Sequence, residues 1–422
     1  MGIANQSGLT RRQFAWRALG YGACAGLAVE VASLAERAWA RRSRELAAAT
    51  QPAVTGDNSL QAHAAAHSLL YGCAVVPELL DVDGIAAGHS ADGYTQLVAG
   101  QTGILVAENA MKWGALRPAP DQYRFDSADR LMRFAELTQK RVRGHNLCWH
   151  EGLPRWFSST ANKQNARQLL TDHIRTVAGH FRGRLHSWDV VNEAIETDDG
   201  LPNGLRNSPW YQLIGPDYIE LAFRTAAEAD PNAILTYNDY DIETDRPADV
   251  EKRTQVLALL RRLKAAGVPI RAMGVQSHLH AAGPQPGASL TAFIRECAKM
   301  DLQVFVTEMD VNCHGLDPGS DLSQDQRDEA VAHIYRDYLG RVLSEPNVPI
   351  ALTWGISSAH TWLNSPFAKD DQLPHGARQR PLPFDDDYNP TPAFFALRSA
   401  VDSVPRGNPA YHAADEESES RG

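Results

Sequence analysis

The sequence predicts an α/β fold consisting of a single (β/α)₈ TIM barrel, and three observations support that fold class. Eight short apolar segments rich in β-branched and aromatic residues are spaced along residues 69 to 397. Their nearly continuous apolar character is typical of parallel strands that are covered on both faces. The stretches between them carry apolar residues at helical spacing, and repeated strand–helix alternation is the pattern of such a barrel. A doubly wound open sheet is the alternative, but no Gly-x-Gly-x-x-Gly turn follows the first segment.

The eight predicted strands follow one another at regular intervals. In chain order they are YGCAVV (71–76), GILVA (103–107), RVRGHNLCW (141–149), LHSWDVV (185–191), AILTYND (233–239), AMGVQSH (272–278), LQVFVTE (302–308) and IALTWG (350–355). Three stretches between them show one apolar stripe each, as expected for helices packed on a sheet. These stripes are Leu131, Phe134, Ala135 and Thr138; Ile219, Ala222, Phe223 and Ala226; and Val256, Leu259, Leu260 and Leu263.

The first 40 residues are interpreted as an export signal of the twin-arginine type. Arg11 and Arg12 precede a moderately apolar stretch, and the sequence AWA at 38–40 fits a signal cleavage site. Charged residues interrupt the apolar stretch, so a basic amphipathic helix is the alternative and a membrane span is not expected. The processed protein is expected in the periplasm or outside the cell.

The remainder of the chain divides into three parts. Residues 41–66 are rich in Ala, Gln and Ser and are predicted to form a loosely held lead-in. Residues 67–402 hold the strands and helices of the predicted barrel, which would be the catalytic domain. Residues 403–422 end in ADEESESRG and are predicted to be a disordered acidic tail.

Composition and charge exclude several classes of partner. The 422 residues are 43% hydrophobic and 22% charged, which is ordinary for a globular protein. The formal net charge of −10 would become −12 on loss of residues 1–40, which carry four arginines and two glutamates. Such an acidic protein is not expected to bind nucleic acid or, once processed, an anionic membrane surface. We expect a monomer.

The cysteines do not indicate a metal site. Cys73 and Cys148 lie in apolar strand segments and are predicted to be buried small side chains. Cys297 and Cys313 could form one disulfide in an oxidising compartment, or could remain free. None of these residues has metal-ligand spacing, and no His-Glu-x-x-His pattern occurs, so a metal-dependent hydrolase is a weak alternative. We expect neither a metal nor a cofactor.

Polar and aromatic side chains follow seven of the eight predicted strands directly. A lone carboxylate at such a position would more often be a helix cap or an ion-pair partner. A barrel, however, brings the C-terminal ends of all its strands to one rim, where active sites are built. These residues are Glu108, Asn109, Lys112, His145, Trp149, His150, Asn192, Glu193, Asn238, Asp239, Gln276, His278, Glu308, Asp310 and Trp354.

Two of these residues, Glu193 and Glu308, suggest the chemistry. Each follows a stiff apolar strand on a separate part of the sequence, so both carboxyl groups should be held firmly over one cleft. Two facing carboxyl groups can hydrolyse a glycosidic bond, one by protonating the leaving oxygen and the other by attacking the sugar or activating water. The sequence therefore predicts a glycoside hydrolase.

The sequence resembles glycoside hydrolase family 10, the endo-1,4-β-xylanases. Seven segments match the motifs of that family in order and cover residues 69 to 397. They are ENAMKW (108–113), RGHNLCWH (143–150), WDVVNEAI (188–195), YNDYD (237–241), GVQSHL (274–279), VTEMDV (306–311) and WGISSAHTWL (354–363).

The resemblance implies a role for each site residue. Glu193 would be the general acid and base, and Glu308 the nucleophile of a double displacement that hydrolyses internal β-1,4 bonds of xylan or xylooligosaccharides with retained configuration. Asn192 would bond the 2-hydroxyl of the sugar, Gln276 and His278 would contact the nucleophile with Asp310 behind His278, and Asn238 would face the leaving group. The non-reducing side of the substrate would be bound by Glu108, Asn109, Lys112 and His145, between walls formed by Trp149, Trp354 and Trp362.

The sequence also departs from the family pattern. Ser358 stands where an Asp is common, and Thr391 stands where a Lys is common. Loss of a carboxylate at Ser358 could alter affinity near the tryptophan wall. A related retaining β-glycanase with broader specificity for glucose and xylose polymers is one alternative. A non-catalytic carbohydrate-binding barrel is another, although it would be expected to lack Glu193 or Glu308.

Overall fold

The computed structural model describes residues 54–405, except for residues 90, 317–321 and 367. The predicted export signal, the first part of the predicted lead-in and nearly all of the predicted acidic tail lie outside these residues. Within the described part, no helix is both long and apolar enough to cross a membrane.

The described residues form nine parallel strands, and eight of them form a closed barrel, as predicted. The strands are β1 Leu70–Val75, β2 Ile104–Ala107, β3 Arg141–Cys148, β4 Ser187–Asn192, β5 Ile234–Asp239, β6 Ala272–Val275, β7 His278–His280, β8 Gln303–Asn312 and β9 Ile350–Thr353. Neighbours in sequence pair from β1 to β6, β6 pairs with β8, and β9 closes the barrel between β8 and β1. The short β7 pairs only with the end of β8, where His278 lies opposite Asp310.

Helices alternate with the barrel strands. The α-helices are α1 Leu60–Ala66, α2 Val82–Ala86, α3 Gly93–Gln101, α4 Trp113–Leu116, α5 Asp126–Leu137, α6 Phe157–Thr160, α7 Ala166–His180, α8 Pro209–Ile214, α9 Tyr218–Ala229, α10 Pro247–Ala265, α11 Ala288–Lys299, α12 Gln324–Val342 and α13 Pro392–Asp402. Short 3₁₀ turns occupy Gly56–Asn58, Pro77–Leu79, Thr197–Asp199, Pro202–Gly204, Ser358–His360, Trp362–Asn364, Lys369–Asp371 and Pro374–Gly376.

The predicted helical stripes are confirmed. The apolar residues named for α5, α9 and α10 are all buried, and they pack into the layer between the helices and the barrel. A smaller cluster inside the barrel contains Phe305, Ile350 and Leu352. The four cysteines of the described chain are buried free thiols, so Cys297 and Cys313 are not bonded to each other.

The lead-in prediction is wrong for its described part. Residues 60–66 form α1, with Leu60 and Ala64 fully buried. The Ser59 hydroxyl caps this helix by accepting the amide of Ala62 at 3.2 Å. Alanine is the best helix former, and Leu60 and Ala64, four residues apart, are buried on one face of the helix.

Candidate active site

Most of the predicted rim residues meet at the C-terminal mouth of the barrel, but Asp239 is fully buried and bonded to Tyr237 and Lys252. β4 ends at Asn192, and Glu193 follows it with a φ of 58°, in the left-handed region that few residues other than glycine adopt. β8 continues through Glu308 to Asn312, so Glu308 lies within a strand. Both glutamates are nearly buried, with 8% and 4% of their surfaces exposed, respectively. The backbone and the burial of both side chains therefore hold each carboxyl group in a fixed position at the cleft.

Three donors surround the carboxyl group of Glu193. Its Oε1 accepts hydrogen bonds from Asn192 Nδ2 and Gln276 Nε2, both at 2.8 Å, and its Oε2 accepts one from Trp149 Nε1 at 2.7 Å. Burial raises the pKa of Glu193, the bonds from Gln276 and Trp149 lower it, and the charges of Asp239 and Glu308 raise it. The net shift is upward, which favours a protonated carboxyl group.

The carboxyl group of Glu308 has the opposite electrostatic environment. Its Oε1 accepts a hydrogen bond from Asn238 Nδ2 at 2.7 Å, and its Oε2 lies 3.5 Å from Nε2 of His278. Burial opposes ionisation, but His145, His278 and Asn238 outweigh it and lower the pKa of Glu308 to about 2. Glu308 is therefore ionised across the neutral pH range.

Two asparagine side chains connect the glutamates. Asn238 Nδ2 donates to Asn192 Oδ1 at 2.8 Å and to Glu308, and Asn192 Nδ2 donates to Glu193. Asn192 and Asn238 also lie opposite each other in the β4–β5 register. The Oδ1 atom of Asn238 in turn accepts the hydroxyl of Thr307 at 2.8 Å. The relative position of the two carboxyl groups is thus fixed by direct hydrogen bonds.

Two predicted contacts are corrected by this arrangement. The Gln276 side chain contacts Glu193 and not the predicted nucleophile Glu308. Asn238 is fully buried, and its amide donates to Asn192 and Glu308, so it is not exposed to the cleft. The reason for the second error is that Asn238 points into the barrel, where Gly274 leaves it room: a Cβ atom on Gly274 would lie 2.2 Å from Asn238 Oδ1.

His278 lies between Glu308 and Asp310, and Asp310 connects it to Trp362. Its Nδ1 lies 2.8 Å from Asp310 Oδ1, and Trp362 Nε1 donates to the other oxygen of Asp310 at 2.7 Å. Burial would lower the pKa of His278, but Asp310 and Glu308 raise it well above its usual value. The imidazole therefore carries a positive charge beside Glu308. The rings of His278 and Trp362 meet edge to face, with centroids 5.6 Å apart.

The predicted binding residues after β2 form one connected group. Asn109 Nδ2 donates to Glu108 Oε1 at 3.1 Å, and Lys112 Nζ donates to Asn109 Oδ1 at 2.9 Å. The same ammonium lies 5.2 Å from the ring centroid of Trp149 and 5.9 Å from that of Trp354. Burial lowers the pKa of Lys112, which Glu308 and Glu108 partly offset. This group presents donors, acceptors and aromatic faces, the equipment that sugar hydroxyls and ring faces require.

His145 is held by a buried ion pair that the sequence interpretation missed. Its Nδ1 lies 3.0 Å from Asp189 Oδ2, while the other oxygen of Asp189 accepts a hydrogen bond from Arg143. Both Arg143 and Asp189 are almost completely buried. The signal was present, since charged residues stood inside the apolar segments RVRGHN and WDVVN. Such residues must find partners when strands pack together.

Ser358 does not occupy the cleft. It is fully buried, its backbone amide donates to Phe384 O at 2.8 Å, and its hydroxyl has no hydrogen-bond partner in the described part of the chain.

The described residues also contain no group of three or more His, Cys, Asp or Glu side chains that could hold a metal ion.

The arrangement supports acid–base and nucleophilic chemistry. One buried carboxyl group is favoured in its protonated form and its neighbour is held ionised, so one can donate a proton while the other attacks. The groups around them offer hydrogen-bond donors, acceptors and aromatic faces. This combination is the one expected for cleavage of a glycosidic bond.

Comparison with known proteins gives a consistent family. Residues 59–400 match the family model described as Glycosyl hydrolase family 10. The chain is 34% identical over 336 residues to Endo-1,4-beta-xylanase B of Thermotoga neapolitana, a match that covers 78% of this chain and 91% of that protein. It is 35% identical over 310 residues to Beta-1,4-xylanase of Dictyoglomus thermophilum, which covers 72% of this chain and 83% of that protein.

Solved structures agree with these relatives. Native xylanase 10B from Thermotoga maritima superposes with a TM-score of 0.70 at 32% identity, covering 85% of this chain and 99% of that one. Xylanase 10B from Thermotoga petrophila RKU-1, solved in complex with xylobiose, gives a TM-score of 0.70 at 33% identity, covering 84% and 98%.

Proposed function

The chain belongs to glycosyl hydrolase family 10, and we propose that it hydrolyses internal β-1,4 bonds of xylan with Glu193 as general acid and base and Glu308 as nucleophile. It is a glycoside hydrolase of the endo-1,4-β-xylanase family, whose members act with retention through two glutamates. The observation that carries the assignment of roles is the opposite shift in pKa of the two buried carboxyl groups, upward for Glu193 and downward for Glu308.

In the first step the ionised Glu308 attacks the anomeric carbon of the bound xylose. A bond forms between that carbon and the Glu308 carboxylate as the bond to the leaving oxygen breaks. The proton of Glu193 moves to that oxygen, and the shortened chain departs as an alcohol. The hydrogen bond from Asn238 and the charge on His278 keep Glu308 ionised before the attack.

In the second step Glu193, now ionised, removes a proton from water. The remaining hydroxide adds to the anomeric carbon, and the Glu308 carboxylate leaves, so the enzyme returns to its first state and the product keeps the β configuration. The three donors around Glu193 support this step, because they stabilise the carboxylate that exists only after the proton has been given away.

The surrounding residues supply substrate binding. The connected group Glu108, Asn109 and Lys112, together with His145, would hold the hydroxyls of the xylose units on the non-reducing side. Trp149, Trp354 and Trp362 would form walls against the sugar rings, since aromatic faces provide large apolar contact area. Asn192 lies next to Glu193, where it could bond the sugar under attack. The solved relative in complex with xylobiose supports a xylooligosaccharide ligand.

The proposal includes export across the cytoplasmic membrane. Support comes from the paired arginines Arg11 and Arg12 and from the AWA sequence at 38–40, which together fit a twin-arginine signal with a cleavage site. Xylan is a polymer found outside the cell, so an exported protein would meet its substrate there. The processed chain would act as a monomer.

Two measurements test the reaction. Purified protein should release reducing ends from xylan at the same rate with and without EDTA. Proton NMR during hydrolysis of xylohexaose should show the β-anomer of the new reducing end first, followed by slow mutarotation to the α-anomer. An initial α-anomer would exclude the double displacement, and loss of activity with EDTA would point to a metal-dependent reaction.

A further inference from the structure

We propose that Tyr237 is a positioning residue for Glu193: its buried hydroxyl holds the two backbone amides that follow Glu193, and the buried Asp239–Lys252 pair fixes the direction of that hydroxyl. This inference rests on the proposed role of Glu193 as general acid and base. Tyr237 would not touch the substrate. It would act by keeping the carboxyl group of Glu193 at the place where the leaving oxygen needs a proton.

The need for such a support lies in the backbone of Glu193. Its φ of 58° is unfavourable for a residue with a side chain, and it persists only where neighbouring contacts enforce it. The amide before the turn, that of Glu193 itself, donates to Asn238 O at 2.8 Å. The carbonyl of Glu193 accepts Arg206 Nε at 2.8 Å. The first bond holds the peptide group before Glu193, and the second holds the peptide group after it.

Tyr237 holds the two backbone amides that follow Glu193. The amides of Ala194 and Ile195 donate to Tyr237 Oη at 3.1 and 3.2 Å, and both bonds are buried. A single hydroxyl oxygen thus satisfies two consecutive backbone donors directly after the strained residue. Without that oxygen both amides would be buried and unpaired, which favours a different path for the backbone.

Asp239 and Lys252 determine which way the phenol proton points. The hydroxyl of Tyr237 donates to Asp239 Oδ2, so both lone pairs of Oη remain free to accept the two amides. Lys252 Nζ, on α10, lies 2.9 Å from Asp239 Oδ1. Burial would lower the pKa of Lys252, but Asp239 raises it overall, so the pair is ionic. Burial and the Asp239 charge raise the pKa of Tyr237 well above its usual value, so the phenol keeps its proton.

Tyr237 and Asp239 lie on the opposite face of β5 from Asn238. Tyr237 donates to Asp239, and Asp239 pairs with Lys252 of α10, whereas Asn238 between the two strand residues donates to Glu308. Successive strand residues point to opposite faces, so one strand supports both carboxyl groups. Asn238 bonds the side chain of the nucleophile, and Tyr237 bonds the backbone of the acid.

The test compares two substrates that differ in their need for a proton. Tyr237→Phe should lower kcat/KM for phenyl β-xylobioside by about 10- to 100-fold, as expected for a misplaced catalytic group. The same variant should lower kcat/KM for 2,4-dinitrophenyl β-xylobioside by no more than about 3-fold, because that leaving group departs without protonation. The ratio of the two constants does not depend on the fraction of folded protein.

Two further variants complete the design. Tyr335→Phe is the matched control, since Tyr335 is also fully buried and its hydroxyl donates to Pro381 O at 2.9 Å, away from Glu193. It should leave the ratio unchanged. Lys252→Met should change the ratio in the same direction as Tyr237→Phe. It replaces Tyr237→Phe in the test if Tyr237→Phe yields no soluble protein. Equal losses on both substrates in Tyr237→Phe, or in Lys252→Met where only that variant is soluble, would overturn the inference.

The same assay separates this inference from the proposed function. Glu193→Ala should show a larger change in the ratio than any of these variants. If Glu193→Ala loses activity equally on both substrates, the acid–base assignment itself fails. If Glu193→Ala behaves as expected and Tyr237→Phe keeps the parent ratio, only the positioning role of Tyr237 is excluded.

Discussion

Nε2 of His278 lies 3.5 Å from Oε2 of Glu308, while the other nitrogen of the ring is held by Asp310. A charged imidazole at that distance stabilises the carboxylate over the carboxylic acid. The two protonation states required for catalysis therefore have separate physical causes: burial raises the pKa of Glu193, and histidine charge lowers that of Glu308.

The pH profile should show this division. Activity needs Glu308 ionised and Glu193 protonated, so kcat/KM should fall at low pH as Glu308 takes up a proton and at high pH as Glu193 loses one. In His278→Gln the charge is gone, the pKa of Glu308 should rise, and the acidic limb should move to higher pH. Profiles on an aryl xylobioside measure this. The exposed His333→Gln should match the parent, and an unmoved acidic limb in His278→Gln would contradict the interpretation.

Glu308→Gln should abolish most activity. The amide keeps the size of the side chain and can still accept from Asn238, but it cannot attack the anomeric carbon. We expect kcat on xylan to fall at least about 10³-fold, since nucleophile removal is among the most damaging changes in covalent catalysis. Glu220→Gln on the exposed face of α9 is the control and should retain parent activity. Substantial turnover by purified Glu308→Gln would exclude Glu308 as the nucleophile.

The loss of activity in Glu193→Ala should depend on the leaving group of the substrate. Xylan, whose leaving oxygen requires a proton, should lose about 10²- to 10⁴-fold in kcat. With 2,4-dinitrophenyl β-xylobioside the first step should survive, and the glycosyl-enzyme should accumulate because no base activates water. Rapid-mixing measurements should show a burst of dinitrophenol, and added azide should speed the slow phase. Absence of both the burst and the azide effect would argue against Glu193 as acid and base.

Trp362 should control the choice between xylose and glucose polymers. Glucose carries a hydroxymethyl group that xylose lacks, and the family resemblance puts Trp362 against that position. A steric misfit of this kind gives a preference of roughly ten- to two-hundred-fold per subsite. Trp362→Ala should therefore lower the ratio of kcat/KM for aryl xylobioside to kcat/KM for aryl cellobioside.

Trp362→Phe separates the two roles of that side chain. Phenylalanine keeps an aromatic wall but lacks the N–H that donates to Asp310. The xylose preference should survive in Trp362→Phe if bulk sets it. An unchanged ratio in Trp362→Ala would show that Trp362 is not the selective element, and equal rates of the parent on both substrates would overturn the preference for xylan.

Replacing Arg11 and Arg12 by lysine should block export. The twin-arginine route reads the planar guanidinium groups, and lysine keeps the charge without that geometry. The precursor should accumulate inside the cell, as seen by immunoblot of cell fractions. Unchanged export of the Lys-Lys variant would indicate another route, and a variant of Arg17→Lys controls for general effects on the segment.

Much of this site could be predicted because strand ends leave a simple signature. An apolar run that stops at Asn192 and Glu193 shows both the strand and the rim residue in one stretch. The partners of Gln276 and Asn238 could not be predicted, since they depend on which face of the strand each side chain occupies and on the left-handed backbone at Glu193. The support from Tyr237 is equally hidden, because a tyrosine in an apolar strand is usually a core residue.

The helix α1 escaped prediction for a different reason. It packs against the domain through Leu60 and Ala64, and the local sequence does not indicate which distant residues they contact. His63 Nδ1 lies 2.6 Å from Asp402 Oδ1 and Leu60 N donates to Gln101 Oε1 at 3.0 Å. Alanine favours the helix, but the distant contacts that hold this helix against the domain cannot be read from the local sequence.

Closure of the barrel has a consequence for its assembly. The first strand pairs with the last, Leu70 lying opposite Ile350, so almost the full length of the domain separates these partners in sequence. A chain emerging from the ribosome cannot make this pairing until β9 has been synthesised, and until then the edge of β1 that faces away from β2 remains unpaired and open to other chains. Products of premature termination before Ile350 should therefore aggregate, and complete chains should fold only after synthesis is nearly finished.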